Sequence, residues 1–355
     1  MKRKCLAVGI ILLFVGTCII PAIAQDTEKP LPTSRGNWLY VGGSGPGNYT
    51  KIQDAINASS PSDTVYVYNG TYHEEVIINV ISLKLIGEGR DNTVIDSRPI
   101  STAVSIQQSF VVIQGFTIIA ADNFIYGNGI LVSGGLEKIK IYNNNLSITP
   151  RGVNINGYNN YDVIENNVFY SNFYGIYLDN YNKNGYSVIR NNIFVDNAIG
   201  LVLFGLYNEI FNNTYLNCRL HGIEQVGGGD STFRDNIFIG NDVGLRVREG
   251  NNIIGNDFEN NGIGISFFHA SSTVINQNNF IKNRRDATFS IESRSQGNTW
   301  DGNYWGRPRI LPKPLLHIGI YWIIEPSYYK PGLPLFYPWL AFDWHPALKP
   351  YDIGV

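Results

Sequence analysis

Charge, cysteine and methionine are all scarce in this chain. Only 16% of its 355 residues are Asp, Glu, Lys or Arg, against roughly a quarter in an ordinary soluble domain. A formal net charge of −2 gives none of the basic surplus that a nucleic-acid partner demands. Cysteine occurs at positions 5, 18 and 218 only. The first two fall in a segment read below as removable, so a disulfide framework within one mature chain is excluded. The sole methionine is Met1, and soft sulfur donors for a metal are therefore nearly absent. Beyond residue 24 no apolar run is long enough to span a bilayer.

What is present begins with an export signal. Lys2, Arg3 and Lys4 precede an apolar stretch, Cys5 to Ile20, and Ala22-Ile23-Ala24 has the small-x-small pattern of a cleavage site. The expectation is a signal peptide over 1–24, a linker over 25–37, and a secreted or cell-surface protein without a membrane span. Cleavage removes three positive charges and shifts the formal charge to −5. Asn-x-Ser/Thr sequons stand at Asn48, Asn57, Asn69, Asn145 and Asn212.

The middle of the chain repeats. Ile164-Glu165-Asn166-Asn167-Val168-Phe169 recurs as Ile189–Phe194 and Ile210–Tyr215, with looser copies at Phe233–Phe238, Ile253–Phe258 and Ile275–Phe280. The closing aromatics are 25, 21, 23, 20 and 22 residues apart. A second signal, Gly followed by alternating apolar residues, keeps step at Gly129, Gly152, Gly175, Gly200, Gly222, Gly244 and Gly264. A unit of this length with short alternating stretches is one turn of a solenoid. The predicted fold is all-β: a right-handed parallel β-helix over 38–305, with roughly ten coils between Leu83 and Trp305 stacked about 4.8 Å apart. Alternation is expected to turn Ile164, Val168 and Leu178 inward. Asn167, Asn192, Asn213, Asn236, Asn256 and Asn278 share one place in the unit. They are expected to adopt the left-handed turn conformation and to hydrogen-bond up the rod as a structural ladder. A leucine-rich repeat has a similar period, but its Leu-x-x-Leu-x-Leu frame is absent.

A solenoid exposes core and strand edges at its ends. At the N-terminal end Thr50-Lys51-Ile52-Gln53 reads as a capping box opening a short helix that ends at Pro61-Ser62-Asp63, and Thr64–Tyr68 reads as the first strand. After Trp305 proline and aromatics crowd in, and residues 306–355 read as a C-terminal cap or an aromatic platform.

Tyr49–Asn57, Asp63–Val67, Gly70-Thr71-Tyr72 and Leu85-Ile86-Gly87 resemble the opening of the pectin-lyase-like β-helix superfamily, and the Asn-Asn repeats resemble its NosD-type branch and the related carbohydrate-binding and sugar-hydrolase repeats. The resemblance implies the fold over about residues 38–305. Its polygalacturonase, pectin methylesterase and pectate lyase signatures find no match here, so no catalytic residue is assigned. NosD is associated with copper-centre assembly. The ligands open to copper here would be Cys218 and the scattered His73, His221, His269, His317 and His345, which have no ligand spacing, and no specific copper site is expected. Calcium is the one cofactor left open.

One face stands out. The residues turned outward after each Gly are Asn154, Tyr177, Val202, Glu224, Arg246 and Ser266, then Asn156, Asp179, Phe204, Val226, Arg248 and Phe268. Tyr177, Asp179, Glu224, Arg246 and Arg248 are expected to line a shallow sugar-binding groove, with His221 and His269 near the same edge; an ordinary solvated Glu224–Arg246 pair is the plain alternative. The leading functional reading is an exported protein that binds a polysaccharide or surface glycan without strong catalysis. A polysaccharide lyase or glycoside hydrolase, and a purely structural surface module, are the alternatives.

Overall fold

A computed structural model describes residues 36–121, 127–179, 185–289, 297–322 and 334–353. The expected signal peptide (1–24) and most of the expected linker (25–37) lie outside the described residues. The remainder is an all-β parallel solenoid of about eleven turns. Each turn contributes one short strand to each of three sheets. In one coil these are Val163–Glu165 in sheet A, Val168–Tyr170 in sheet B and Tyr174–Asp179 in sheet C. Between Thr64 and Asp301 neighbouring strands in each sheet stand three places apart in the chain, so the sheets run the length of the rod. The first strand is Trp38–Val41, not Thr64–Val67, and the two pair in parallel.

Stacking like on like builds the core. Ile164, Ile189, Ile210 and Phe233 follow one another in sheet A. In sheet B, Phe169, Phe194, Tyr215, Phe238, Phe258 and Phe280 stack with ring centroids 4.6–5.2 Å apart, and Trp305 closes the column at 4.5 Å. Each such buried ring contributes roughly 1.5–3 kcal/mol by leaving water. Ile164 and Leu178 point inward as expected, but Val168 does not. It is the middle residue of the strand, Phe169, that is fully buried. A one-residue shift exchanges the two faces of a strand, and here Asn167 already occupies the inward position of the turn.

The glycine in each unit answers to those rings. A Cβ on Gly200 would lie 2.6 Å from the Gly222 carbonyl oxygen and 2.7 Å from the Tyr215 ring, too close for any side chain.

Asparagines fill the corner between sheets A and B. Asn213 Oδ1 accepts from Asn192 N and Nδ2, both at 3.0 Å, while Asn213 Nδ2 donates to the Ile189 and Phe211 carbonyls at 2.8 and 3.0 Å. Asn167, Asn236, Asn256 and Asn278 stand in the same column, which also takes in Asn144 and Asn303. The left-handed residue is the one before each rung, at Asn166, Asn191 and Asn212, with φ of 58°, 56° and 53°. One residue of each Asn-Asn pair thus makes the turn and the other makes the ladder. A second column, Asn172, Asn197, Cys218, Asn241, Asn261 and Asn283, fills the B–C corner. A third, chemically mixed, passes through Ser187, Asn208, Ser231 and Asn251 at the C–A corner.

The short helix is Ile52–Asn57, with Ile52, Ala55 and Ile56 buried in the core. It has no capping box. No side chain of its own caps it; instead the Glu74 carboxylate accepts from Ile52 N and Gln53 N at 2.9 and 3.0 Å. Gln53 is occupied elsewhere, exchanging hydrogen bonds with the backbone of Ile77. At the other end, Lys313–Trp322 and Pro334–Asp343 form an antiparallel hairpin whose last residue pairs with Trp300. Asp343 is wholly buried and continues the first asparagine column, accepting from Asn303 N, Asn303 Nδ2 and Trp305 Nε1 at 3.0, 3.2 and 2.9 Å.

Candidate functional site

Sheet C presents a chemically varied outer surface that carries the residues singled out in the sequence. Its five- and six-residue strands leave room for side chains in three outward columns, where the three-residue strands of sheets A and B leave two. Tyr177, Glu224 and Arg246 fall in one column, in the order Asn154, Tyr177, Val202, Glu224, Arg246, Ser266. Asp179 pairs with Asn156 in the next column, and Arg248 follows on the same side of its strand. The five residues singled out in the sequence therefore share one face, in two groups parted by the buried Val202.

The first group is built around Tyr177. Arg151 lies with its guanidinium 5.3 Å from the Tyr177 ring and 6.0 Å from Tyr174. Tyr174 and Phe204 flank Tyr177 at 5.4 and 5.9 Å. Partial burial, with Asp179 nearby, pushes the Tyr177 hydroxyl above its ordinary pKa. Beneath this group Asn154 donates to Asn128 at 2.9 Å, while its own Oδ1 is buried without a hydrogen-bond partner.

The second group is built around Glu224. His221 Nδ1 stands 3.4 Å from Glu224 Oε2, an ion-pair contact rather than an aligned hydrogen bond, and Arg246 Nη1 donates to Oε1 at 2.7 Å. The pull of His221 and of Arg246 holds the Glu224 carboxyl below the usual carboxylate range, against its partial burial. Arg246 and Arg248 both lie over the Phe268 ring, at 4.6 and 5.3 Å. His269 does not join His221. His221 opens its strand, His269 follows Phe268 beyond the end of a strand two coils on, and the width of sheet C separates them.

Arg151 and Tyr174 were not singled out by the sequence reading, although both precede a repeat Gly and so return to the same face. Asp179 and Glu224 stand two coils apart in different columns, roughly 10 Å or more by the coil spacing. That is wider than the carboxylate pair of a retaining glycosidase.

A family model described as "Periplasmic copper-binding protein (NosD)" matches residues 103–310. The chain belongs to the NosD family. Among solved structures, the mannuronan C-5 epimerase A-module of Azotobacter vinelandii is similar to it with a TM-score of 0.55 at 18% identity, over 72% of this chain and 88% of that one. The DFA-IIIase of Arthrobacter chlorophenolicus A6 is similar with a TM-score of 0.56 at 12% identity, over 76% and 94%. These likenesses establish the pectin-lyase-like β-helix. No curated protein matches the sequence.

The copper of the NosD description does not fit the residues described. Cys218 is buried as a rung of the second column, where burial pushes its thiol up to about 12. A thiol held protonated is a poor metal ligand. Among the described residues no three His, Cys, Asp or Glu side chains gather as a metal site, and none of their helices is long and apolar enough to cross a membrane.

Proposed function

We propose that this NosD-family chain is an exported protein that binds a polysaccharide along the outer face of sheet C, favouring acidic chains, without strong catalysis. The observation that carries the reading is that Arg151, Arg246 and Arg248 each lie against an aromatic ring on that one face. A guanidinium laid on a ring is held in place and offers a planar fork that matches a sugar carboxylate, while the ring beside it takes the apolar face of the sugar. Tyr177 and Asp179 in one cluster and Glu224 in the other add hydrogen-bonding groups.

A second reading, a polysaccharide lyase or hydrolase, is favoured by Glu224 held between His221 and Arg246. Both readings are tested together by light scattering of acidic and neutral polysaccharides on size exclusion after incubation with the purified protein, calcium present. Co-elution of protein with an intact acidic polymer is expected. A shortened polymer would make the chain an enzyme, and neither shortening nor co-elution would leave a structural surface module.

A further inference from the structure

The corner after sheet C carries a second feature. In three successive coils the left-handed residue of this corner is tyrosine: Tyr161, Tyr186 and Tyr207, with φ of 61°, 45° and 59°. Their rings stack at 5.3 and 5.4 Å, with interplanar angles of 7° and 15°. Unlike the rings in the core they are 52%, 39% and 42% exposed. A left-handed backbone disfavours a bulky side chain by about 1–2 kcal/mol per residue. The following coils put Asp230, Gly250, Ser272 and Gly297 at this corner, residues that are small or suited to the conformation. The coils before them also hold bulky residues at this corner, Phe110 and Lys138 with φ of 65° and 57°, so it is the exposed face-to-face stacking that sets the tyrosines apart.

Where the rings stop, a cavity opens. It has a volume of about 260 Å³ and is lined by Leu206, Gly228, Gly229, Asp230, Glu249, Gly250, Ser271 and Ser272. Two of its glycines are held by close backbone: a Cβ on Gly228 would meet the Gly205 carbonyl, and one on Gly229 would lie 2.5 Å from the Glu249 carbonyl oxygen. Ser271 Oγ reaches Glu249 Oε2 at 3.5 Å. The lining thus combines two carboxylates, two hydroxyls and open backbone, one coil beyond an aromatic stack whose last ring is followed by no other.

We infer that this corner is a second saccharide site, specific for neutral, hydroxyl-rich sugars. One pyranose ring stacks on the outer face of Tyr207, and its hydroxyls donate to Asp230 and Glu249. The carboxylates accept hydroxyl hydrogens and repel uronates, opposite in sign to the arginine-bearing face of sheet C. The inference does not depend on what sheet C binds.

The test is calorimetric titration of the purified protein with neutral hexaoses (gluco-, manno-, galacto- and N-acetylglucosamine oligomers), with a hexauronate, and with calcium chloride alone. Tyr207→Asn suits the left-handed backbone, and Asp230→Asn keeps the shape of the side chain, so both variants are expected to fold with unchanged thermal melts. At least one neutral hexaose should bind, each variant should weaken it tenfold or more, and hexauronate binding should not change. Absence of binding by every neutral hexaose would overturn the inference, as would binding that both folded variants retain. Calcium binding lost in Asp230→Asn, with no sugar bound, would make this a cation site instead.

Discussion

The two sides of sheet C follow different rules. Inward, successive coils place Val153, Ile176, Leu201, Ile223, Leu245 and Ile265, all fully buried. Outward, the same strands place Asn154, Tyr177, Val202, Glu224, Arg246 and Ser266, with no two alike. Inside, each residue must match the residue above and below it, because a close-packed column leaves no slack. Outside, the neighbours impose little, and the side chains are free to answer to something other than the fold. The contrast teaches where to look on a solenoid: regularity marks what the rod needs for itself, and irregularity organised into ring–guanidinium pairs marks a candidate surface, on sheet C and also on sheet A, where Arg190 and Arg234 flank Phe211.

The comparison breaks first where a buried column is interrupted. Asn213→Ala removes the acceptor for Asn192 N and Nδ2 and the donor to the Ile189 and Phe211 carbonyls. Stranding these buried groups is expected to cost about 3–5 kcal/mol, read from denaturant unfolding.

The next largest effect depends on pH. Asp162 is fully buried at the C–A corner, where Oδ1 accepts from Ile139 N at 2.9 Å and Oδ2 has no partner. Burial pushes its carboxyl up to about 7 from 3.8. The folded state therefore keeps the proton that the unfolded chain releases near pH 4, so stability falls as pH rises from about 4 to 7 and the loss is complete above 7. Asparagine fits the column, as Asn208 and Asn251 show. Asp162→Asn should raise stability above pH 7 by up to roughly 4 kcal/mol and leave it little changed near pH 4; thermal melts at the two pH values check it, and an equal effect at both would contradict it.

Tyr215 interrupts a column of phenylalanines with a hydroxyl that is buried and has no partner. Tyr215→Phe should stabilise by about 1–2 kcal/mol, a gain of a few degrees in melting temperature. On the outside, Arg246→Ala breaks a part-exposed ion pair and should change stability by about 1 kcal/mol or less. A loss as large as that of Asn213→Ala would erase the distinction between the two sides.

The same contrast explains what was legible in the sequence. The fold was readable because its columns repeat one residue type: six rungs of the A–B ladder and the sheet B rings carry the period in plain view. The second ladder carries an equally regular signal, an asparagine five residues after each rung, as in Asn167 and Asn172 or Asn192 and Asn197. Cys218 disguises it, supplying a sulfur where the other coils supply an amide. The third ladder uses Asp, Ser, Asn and Thr by turns and has no identity to repeat. Val168 was assigned to the wrong face because alternation does not carry across a turn whose second residue already points inward. The capping box failed for a related reason: Glu74, far along the chain, reaches the helix start before Gln53 can turn back to it. The candidate face was legible only in part. Outward columns can be counted from each Gly, but Arg151 and Tyr174 precede that Gly, and pairing a guanidinium with a ring requires the stacking of neighbouring coils.

The measurement that bears most directly on the central claim is the affinity of an acidic polysaccharide for the purified protein and for a Tyr177→Ala, Arg246→Ala, Arg248→Ala triple variant whose thermal melt has been matched to the parent. A surface that binds through ring-backed guanidiniums should lose affinity at least tenfold, with the parent's binding weakening as salt is raised. Unchanged affinity in the folded triple variant would contradict the assignment of function to the outer face of sheet C.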